Sequence, residues 1–471
     1  MSSAAAPTPT LLLSNLPPKT FIGIDLTSFA STPNFHGIKD LTPGWHFLYT
    51  GTSESFSLRS GSWFCVGGDA DAGDGEGGGA VVRRGGGGDV EIRIWKWDEG
   101  IEAVRPLRDA VQGEREEAMR RRANLGRVWQ AGGLFGYRSQ PGTTRKSKRN
   151  DEDDGGDGGG NNEEEDEDRP PGEREKDWYA LTKYISPGLV SRILGEREFD
   201  TEGRSRWTVT SASTAPQDKD NIPGLTEQEA ASAGGVAGEE EKELTFLPVD
   251  LKKTWREGAV GRERTEAAQD RSWALGDIVE RCASDGGGGD GETQILGELQ
   301  FTFLMVLLLA NYSCLEQWKR LLGLVFTCRA AVKPREGFFI KVLKLLKLQL
   351  EHCDDVEGGL FEMDGDEGGA LLKKLFTQFR TGLDEVDGPE SSRVNKELEE
   401  LQQWVKSQYG WELRRGAIVR RGMLELEDGE QVEMEVNDAE SYDETGEYAP
   451  VVVDLGENEA SRDVDMMDTK P

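Results

Sequence analysis

Gly297-Glu-Leu-Gln-Phe-Thr-Phe-Leu-Met-Val-Leu-Leu-Leu-Ala310 is the stretch that decides the fold. From Phe301 to Ala310 it is apolar on every side with one Thr in it, the mark of a helix buried at the centre of a helical domain. Those 10 residues fall short of the roughly 18 needed to cross a bilayer. Downstream the helical period continues. Ser313 and Glu316 have capping-box spacing and open a second helix through Leu321, Leu322 and Val325. Phe338, Val342, Leu345 and Leu346 share one face of a third, with Lys341, Lys344 and Lys347 on a wet side. Leu371, Leu372, Leu375, Phe376 and Phe379 mark a fourth, after a loop at Asp364 to Gly369, and Val394, Leu398, Leu401 and Val405 mark a fifth.

Upstream the character is different. Residues 11–97 are rich in aromatic and β-branched residues punctuated by Pro and Gly, which predicts short strands joined by turns. Val90, Ile92 and Ile94 alternate with Glu91, Arg93 and Trp95, giving a strand with one core face. Trp45 to Tyr49 and Ser55 to Val66 read as further strands, the second bent at Ser60-Gly61. The glycine-rich insert Gly67 to Gly88 separates two strands that could pair, since loop closure costs little more for a long loop than a short one. A helix is expected near Glu114 to Arg127. Trp178, Leu181 and Ile185 mark a helical face, and Ser186-Pro187 is a cap and first-turn pair for a helix through Leu194. Leu244 to Leu251 reads as a short strand. The expected fold class is α+β, divided into an N-terminal β-rich domain (11–141), a disordered basic and acidic linker (142–176), a connecting segment with a disordered insert (177–292), a helical domain (293–410) and an acidic tail (411–471).

Charge narrows the function. The chain of 471 residues has 56 Lys and Arg against 88 Asp and Glu, a formal charge of −32. Asp151 to Asp168 holds 11 acids and no base, and Glu425 to Pro471 holds 17 acids against two bases, so these two stretches carry −26 of the total. Such a balance repels nucleic-acid phosphate and anionic membrane, so no direct nucleic-acid or membrane partner is expected. The five cysteines are widely spread with no CxxC pair, poor material for a disulfide framework or a zinc site. His36, His46 and His352 share no ligand spacing. With no HExxH, GxSxG, Walker or dinucleotide motif, no catalytic, cofactor-binding or metal-binding residue is expected. A hydrolase on the β domain would need His36, Asp25 and Cys65 to converge. Arg145-Lys-Ser-Lys-Arg149 reads equally as a nuclear import signal or as a basic patch neutralised by the acids beside it.

Phe21-Ile-Gly-Ile-Asp25, Asn34-Phe-His-Gly-Ile-Lys-Asp40, Pro43-Gly44 and Ser62-Trp63-Phe64 resemble the N-terminal signature of the Aar-two (A1-alpha2 repression) family of splicing factors. Gly297-Glu298-Leu299-Gln300-Phe301, Asn311-Tyr312 and Gln317-Trp318 resemble that family's C-terminal signature, and Asp177-Trp178-Tyr-Ala-Leu-Thr182 matches a block between them. The three occur in family order over about residues 21–383. The Gly67 to Gly88, Gly142 to Gly172 and Thr214 to Glu241 inserts depart from the pattern. Within these blocks Gly23, Asp25, Phe35, Gly37, Ile38, Trp63, Trp178, Gly297, Glu298, Leu299, Gln300, Phe301 and Trp318 read as residues that build the fold, turns and core rather than contacts.

The resemblance implies a β-sandwich-like N-terminal domain and a helical domain of VHS-like arrangement. It implies an assembly chaperone of the U5 small nuclear ribonucleoprotein, monomeric and without cofactor, that binds the RNase H-like and Jab/MPN domains of the large U5 protein Prp-eight and keeps the helicase Brr-two off. Release, in the family, is linked to phosphorylation, and Thr293, in the lead into the buried helix, is a candidate phosphosite. The tail adds a strand to the partner in related members, which points to Tyr448, Pro450, Val451, Val452 and Val453. A cytoplasmic and nuclear protein is expected. An RNA-binding accessory splicing factor, or a hydrolase, is the alternative.

Overall fold

The computed structural model describes residues 8–52, 58–67, 90–108, 111–137, 171–221, 243–284, 290–353, 367–386, 393–411, 419–425 and 431–437. Most of the expected disordered linker (142–176), most of the glycine-rich insert, and Tyr448, Pro450, Val451, Val452 and Val453 lie outside them, while 171–176, expected in that linker, are helical instead.

Two sheets stack in the N-terminal half. The first contains β1 (Thr10–Ser14), β4 (Gly37–Lys39), β7 (Ile92–Asp98), β8 (Ala103–Pro106) and β9 (Leu134–Gly136), in the order β8-β7-β1-β4-β9. The second contains β2 (Phe21–Ile24), β3 (Thr27–Ala30), β5 (Gly44–Gly51), β6 (Arg59–Val66), β10 (Glu198–Phe199) and β11 (Ser205–Thr210), in the order β10-β11-β6-β5-β2-β3. Strand alternation sorts the second sheet's side chains onto two faces. Ile22, Ile24, Leu48, Phe64 and Val66 pack against Leu11, Leu13, Ile38, Trp95 and Trp97 of the first sheet. Phe21, Phe47, Tyr49, Trp63, Trp207 and Val209 face the helices. The expected sandwich is therefore present, and its second sheet is buried on both faces.

The two strands that flank the glycine-rich insert do not pair with each other. β6 pairs with β5 and β11, and β7 pairs with β1 and β8. The aromatic alternation of β6, with Trp63 facing the helices and Phe64 facing Trp95, places it in the sheet that has apolar partners on both sides. Behind the first sheet, Leu12, Ile94, Leu107 and Leu134 are covered by Ala118 and Leu125 of α1 (Gln112–Ala123) and α2 (Leu125–Gln130), where one helix was expected.

α3 (Pro171–Thr182) and α4 (Pro187–Leu194) follow, the second capped as expected: Ser186 Oγ accepts from Leu189 N with Pro187 in the first turn. The chain then returns to the sandwich as β10 and β11, so the connecting segment supplies the far side of the second sheet. α5 (Arg262–Gln269) and α6 (Ser272–Ser284) lead to α7 (Gly291–Leu309), α8 (Tyr312–Val325), α9 (Glu336–Leu350), α10 (Glu367–Val386) and α11 (Arg393–Tyr409). α7 is the central helix the sequence announced, and all of it except Glu292 and Thr293 is buried. At 19 residues it is long and apolar enough to cross a bilayer, but here protein surrounds it. Trp178, Leu181, Phe338, Leu346, Phe376, Leu398 and Val405 complete the core around it.

Three local expectations change. Leu244 to Leu251 is extended chain rather than a strand of either sheet; Leu244, Leu247, Val249 and Leu251 are buried among helices, and Leu247 N donates to the Glu298 carboxylate. The cap of α8 is Asn311, whose Oδ1 accepts from Cys314 N at 2.9 Å, while Ser313 lies inside the helix and accepts from Ala215 N instead. α10 starts at Glu367, within the expected loop. Beyond the helices, β12 (Val419–Glu425) and β13 (Gln431–Asn437) form an antiparallel hairpin of their own.

Candidate partner interface

The two halves are joined by the residues that carried the family resemblance. Gln300 is fully buried in α7; its Oε1 accepts from Tyr184 N and its Nε2 donates to Ala180 O, both at 2.7 Å. It thereby ties the central helix to the end of α3. Glu298, also fully buried, accepts from Leu247 N at 2.9 Å, from Gln317 Nε2 at 2.8 Å and from Arg192 at 2.6 Å. A buried carboxylate is tolerated here because donors from three separate segments satisfy it. A Cβ on Gly297 would sit 2.5 Å from Tyr184 O, so only glycine permits this approach of α7 to the α3–α4 turn.

Indoles continue the seam. Trp178 Nε1 donates to Trp45 O at 2.7 Å, and Trp45 Nε1 donates to Ile185 O at 2.9 Å, so the second sheet and the helices exchange two tryptophan hydrogen bonds. Trp63 stacks on Trp178 at 5.9 Å between ring centres and meets Phe301 at 6.0 Å. Asn311, besides capping α8, donates its Nδ2 to Thr210 O and Ser213 O at the end of β11. Trp318 Nε1 donates to Gln349 Oε1, whose amide donates to Leu299 O, locking α8 and α9 onto α7. The halves thus form one body, and the surface they share is set by this seam.

Inside the sandwich, Asp25 occupies the β2–β3 turn with φ of 54° and is buried. It accepts from Phe47 N, from Tyr137 Oη, and pairs with His46 Nδ1 at 2.7 Å, while His46 Nε2 lies 2.7 Å from Thr42 O. Burial disfavours the imidazolium, but the Asp25 carboxylate and the Thr42 carbonyl outweigh it and hold the His46 pKa above its ordinary value. The convergence a hydrolase would need is not formed: Asp25 shares no hydrogen bond with His36 or Cys65, and burial pushes the Cys65 thiol up to about 11 despite nearby Arg93. Gly23 lies under the Tyr49 ring and Gly37 against the β1 backbone, while Phe35 and Ile38 are core. No group of three or more His, Cys, Asp or Glu that could hold a metal occurs among the described residues. Thr293, expected in an exposed lead, is half-buried in the first turn of α7.

Sequence reasoning missed one surface feature. Between Leu251 and Trp273 two arginines lie over two half-buried tryptophans, Arg264 over Trp255 at 5.4 Å and Arg256 over Trp273 at 5.9 Å. The signal was an interleaving of Lys, Arg and Trp in that segment, diluted by the Glu residues among them.

Sandwich, central helix and seam define a two-part α+β protein whose halves are joined through buried side chains. A family model described as the AAR2 N-terminal domain matches residues 7–195, and one described as the AAR2 C-terminal repeat region matches residues 246–414. The chain is similar to the protein AAR2 homologs of Pongo abelii and Homo sapiens, each 25% identical over 355 residues that cover 72% of this chain and 75% of the relative. It is 30% identical to the rabbit (Oryctolagus cuniculus) protein AAR2 homolog over 185 residues, 37% of this chain and 52% of that one. The chain belongs to the AAR2 family, a membership that supports a splicing-related role.

Proposed function

We propose that the protein is a non-enzymatic pre-mRNA splicing factor, a U5 small nuclear ribonucleoprotein assembly chaperone. It binds the RNase H-like and Jab/MPN domains of Prp-eight and keeps Brr-two off until release. The observation that carries this reading is the seam. The signature residues Gly297, Glu298, Gln300, Asn311 and Trp318 hold two dissimilar modules in one orientation, which suits a protein that must bind two domains of a partner at once. Past Trp411, whose indole packs on Tyr409, the sequence carries Tyr448, Pro450, Val451, Val452 and Val453 as the segment that adds a strand to the partner. Such a protein acts as a monomer, moves between cytoplasm and nucleus with the U5 precursor, and is released on phosphorylation.

The test is gel filtration of the whole chain, and of the chain cut after Tyr409, with the two Prp-eight domains. A ternary complex that weakens on tail removal is expected. No complex with either form would overturn the proposal.

A further inference from the structure

Several arginines elsewhere in the fold are paired: Arg105 with Asp98 and Glu114, Arg335 with Glu292, Arg380 with Glu399. The segment from Leu251 to Trp273 gathers four cations that are not. Lys252, Lys253, Arg256 and Arg264 are exposed, and none has a carboxylate partner among the described residues. The acids of the same segment are partly spent: Glu266 on Arg262, and Asp270 on the N–H groups of Ser272, Arg329 and Ala330. Glu257 and Glu263 remain against the four cations.

The segment is also a built surface. Thr254 Oγ1 donates to Ala267 O at 2.8 Å, Arg271 donates to Thr327 Oγ1 at 3.0 Å, and Asp270 fastens the α5–α6 turn to the chain that follows α8. Arg264 is fixed on Trp255 by a 2.6 Å hydrogen bond from its Nε to Ala259 O. Beside it Val260 is 68% exposed, held out between Gly258 and Gly261, whose φ angles of 84° and 48° favour glycine. A cationic face with an apolar knob results. The guanidinium groups already cover a face of each indole, which leaves less ring for nucleobases to stack on, whereas their N–H edges remain open to carboxylates. The chemistry fits an acidic peptide.

We propose that this face docks the chain's own tail through residues 438–447, where Asp438, Glu440, Asp443, Glu444 and Glu447 occur with no basic residue. Geometry brings the segment within reach. The chain leaves the helices at Trp411, whose ring lies 4.9 Å from Lys373 Nζ on α10. At the other end of α10, Glu385 pairs with Arg329, whose backbone N–H is held by Asp270 of the cationic segment. From Lys373 to Glu385 the helix spans about 18 Å. The hairpin returns Asn437 to a position opposite Val419, so residues 412–418 set the reach, and seven residues extend to about 23 Å. The docking needs no partner protein, and, resting on the function proposed above, it keeps residues 448–453 beside the helical module until something stronger takes them.

The test is zero-length carbodiimide cross-linking of the full chain, as an equal mixture of isotope-labelled and unlabelled protein, read by mass spectrometry. Expected are links from Lys252 or Lys253 to residues 438–447 within one copy, falling about tenfold between about 0.1 M and about 1 M salt. The same loss is expected for Arg256→Glu with Arg264→Glu, which keeps both lysines as reporters. It is also expected when the five tail acids become Asn or Gln. Absence of these links overturns the proposal. So do links from the two lysines only to residues 151–168, or only between labelled and unlabelled copies.

Discussion

Replacing Gly297 by Ala sets two effects of opposite sign against each other. In a helix interior Ala is favoured over Gly by about 1 kcal/mol, so propensity alone predicts a more stable protein. The seam predicts the reverse. The added Cβ would meet Tyr184 O at 2.5 Å and Leu189 Cδ1 at 2.6 Å. Leu189 can turn aside, but the carbonyl is backbone in a turn held by Gln300 on one residue and by Trp45 on the next. Relief therefore requires α7 and the α3–α4 turn to separate by about half an ångström, which forfeits packing along the helix. Overpacking costs about 1–3 kcal/mol, and a backbone obstacle puts this site at the upper end. The net effect is a loss of about 2 kcal/mol. Urea unfolding followed by tryptophan fluorescence should show a midpoint lowered by about 1 M, given slopes of about 2 kcal/mol/M. Gly276→Ala in α6, where an added Cβ meets nothing within 4 Å, should be neutral or stabilising by up to about 1 kcal/mol. If Gly297→Ala raised the midpoint as Gly276→Ala does, the close approach would not be what Gly297 supplies.

Glu298→Ala strands Leu247 N–H and one of the two Gln317 Nε2 hydrogens, the other still reaching Leu247 O, while Arg192, 30% exposed, turns to water. A loss of about 2–4 kcal/mol is expected from the two buried groups, measured by the same unfolding curves; a change below about 0.5 kcal/mol would mean that water satisfies both. His46 makes a pH prediction. Its folded pKa lies above the unfolded value, so its pair with Asp25 contributes fully below about pH 6.5 and fades as pH rises through the folded value. The stability of the natural chain relative to His46→Gln should fall between mildly acidic and mildly alkaline pH, and a flat or rising difference would contradict the assignment.

What was legible in the sequence was burial, and what was not was the identity of the covering surface. The all-apolar run of α7 and the Ser186-Pro187 cap of α4 could be read because a central helix and a cap are local facts. Leu244 to Leu251 read as a strand, yet the segment belongs to neither sheet although Leu247, Val249 and Leu251 are buried, and Glu298 takes the Leu247 backbone donor a strand partner would have used. Ser313 and Asn311 are both cap residues by type; the choice fell to Asn311 because its amide also reaches Thr210 and Ser213 at the end of β11, a contact 98 to 101 residues away in the chain. Likewise Gln300 and Glu298 read as fold-building, but their partners at 180, 184, 192 and 247 carry no signal in a single sequence.

The charge map gives the proposed tail docking its strength and its purpose. Exposed ion pairs are individually weak and screened by salt, so four cations on a surface would not hold a free acidic peptide at cellular concentration. A tether changes this: a segment joined to its site through a linker of a few residues experiences it at an effective concentration on the order of millimolar. A contact with a dissociation constant in that range is then substantially occupied, while a main-chain strand added to a partner's sheet would displace it readily. The acidity of the tail, which carries about half of the chain's −32, so serves a weak intramolecular bond. A tail of the same β-favouring residues without the acids would sit free of the body, exposed to strand pairing with any sheet edge it met.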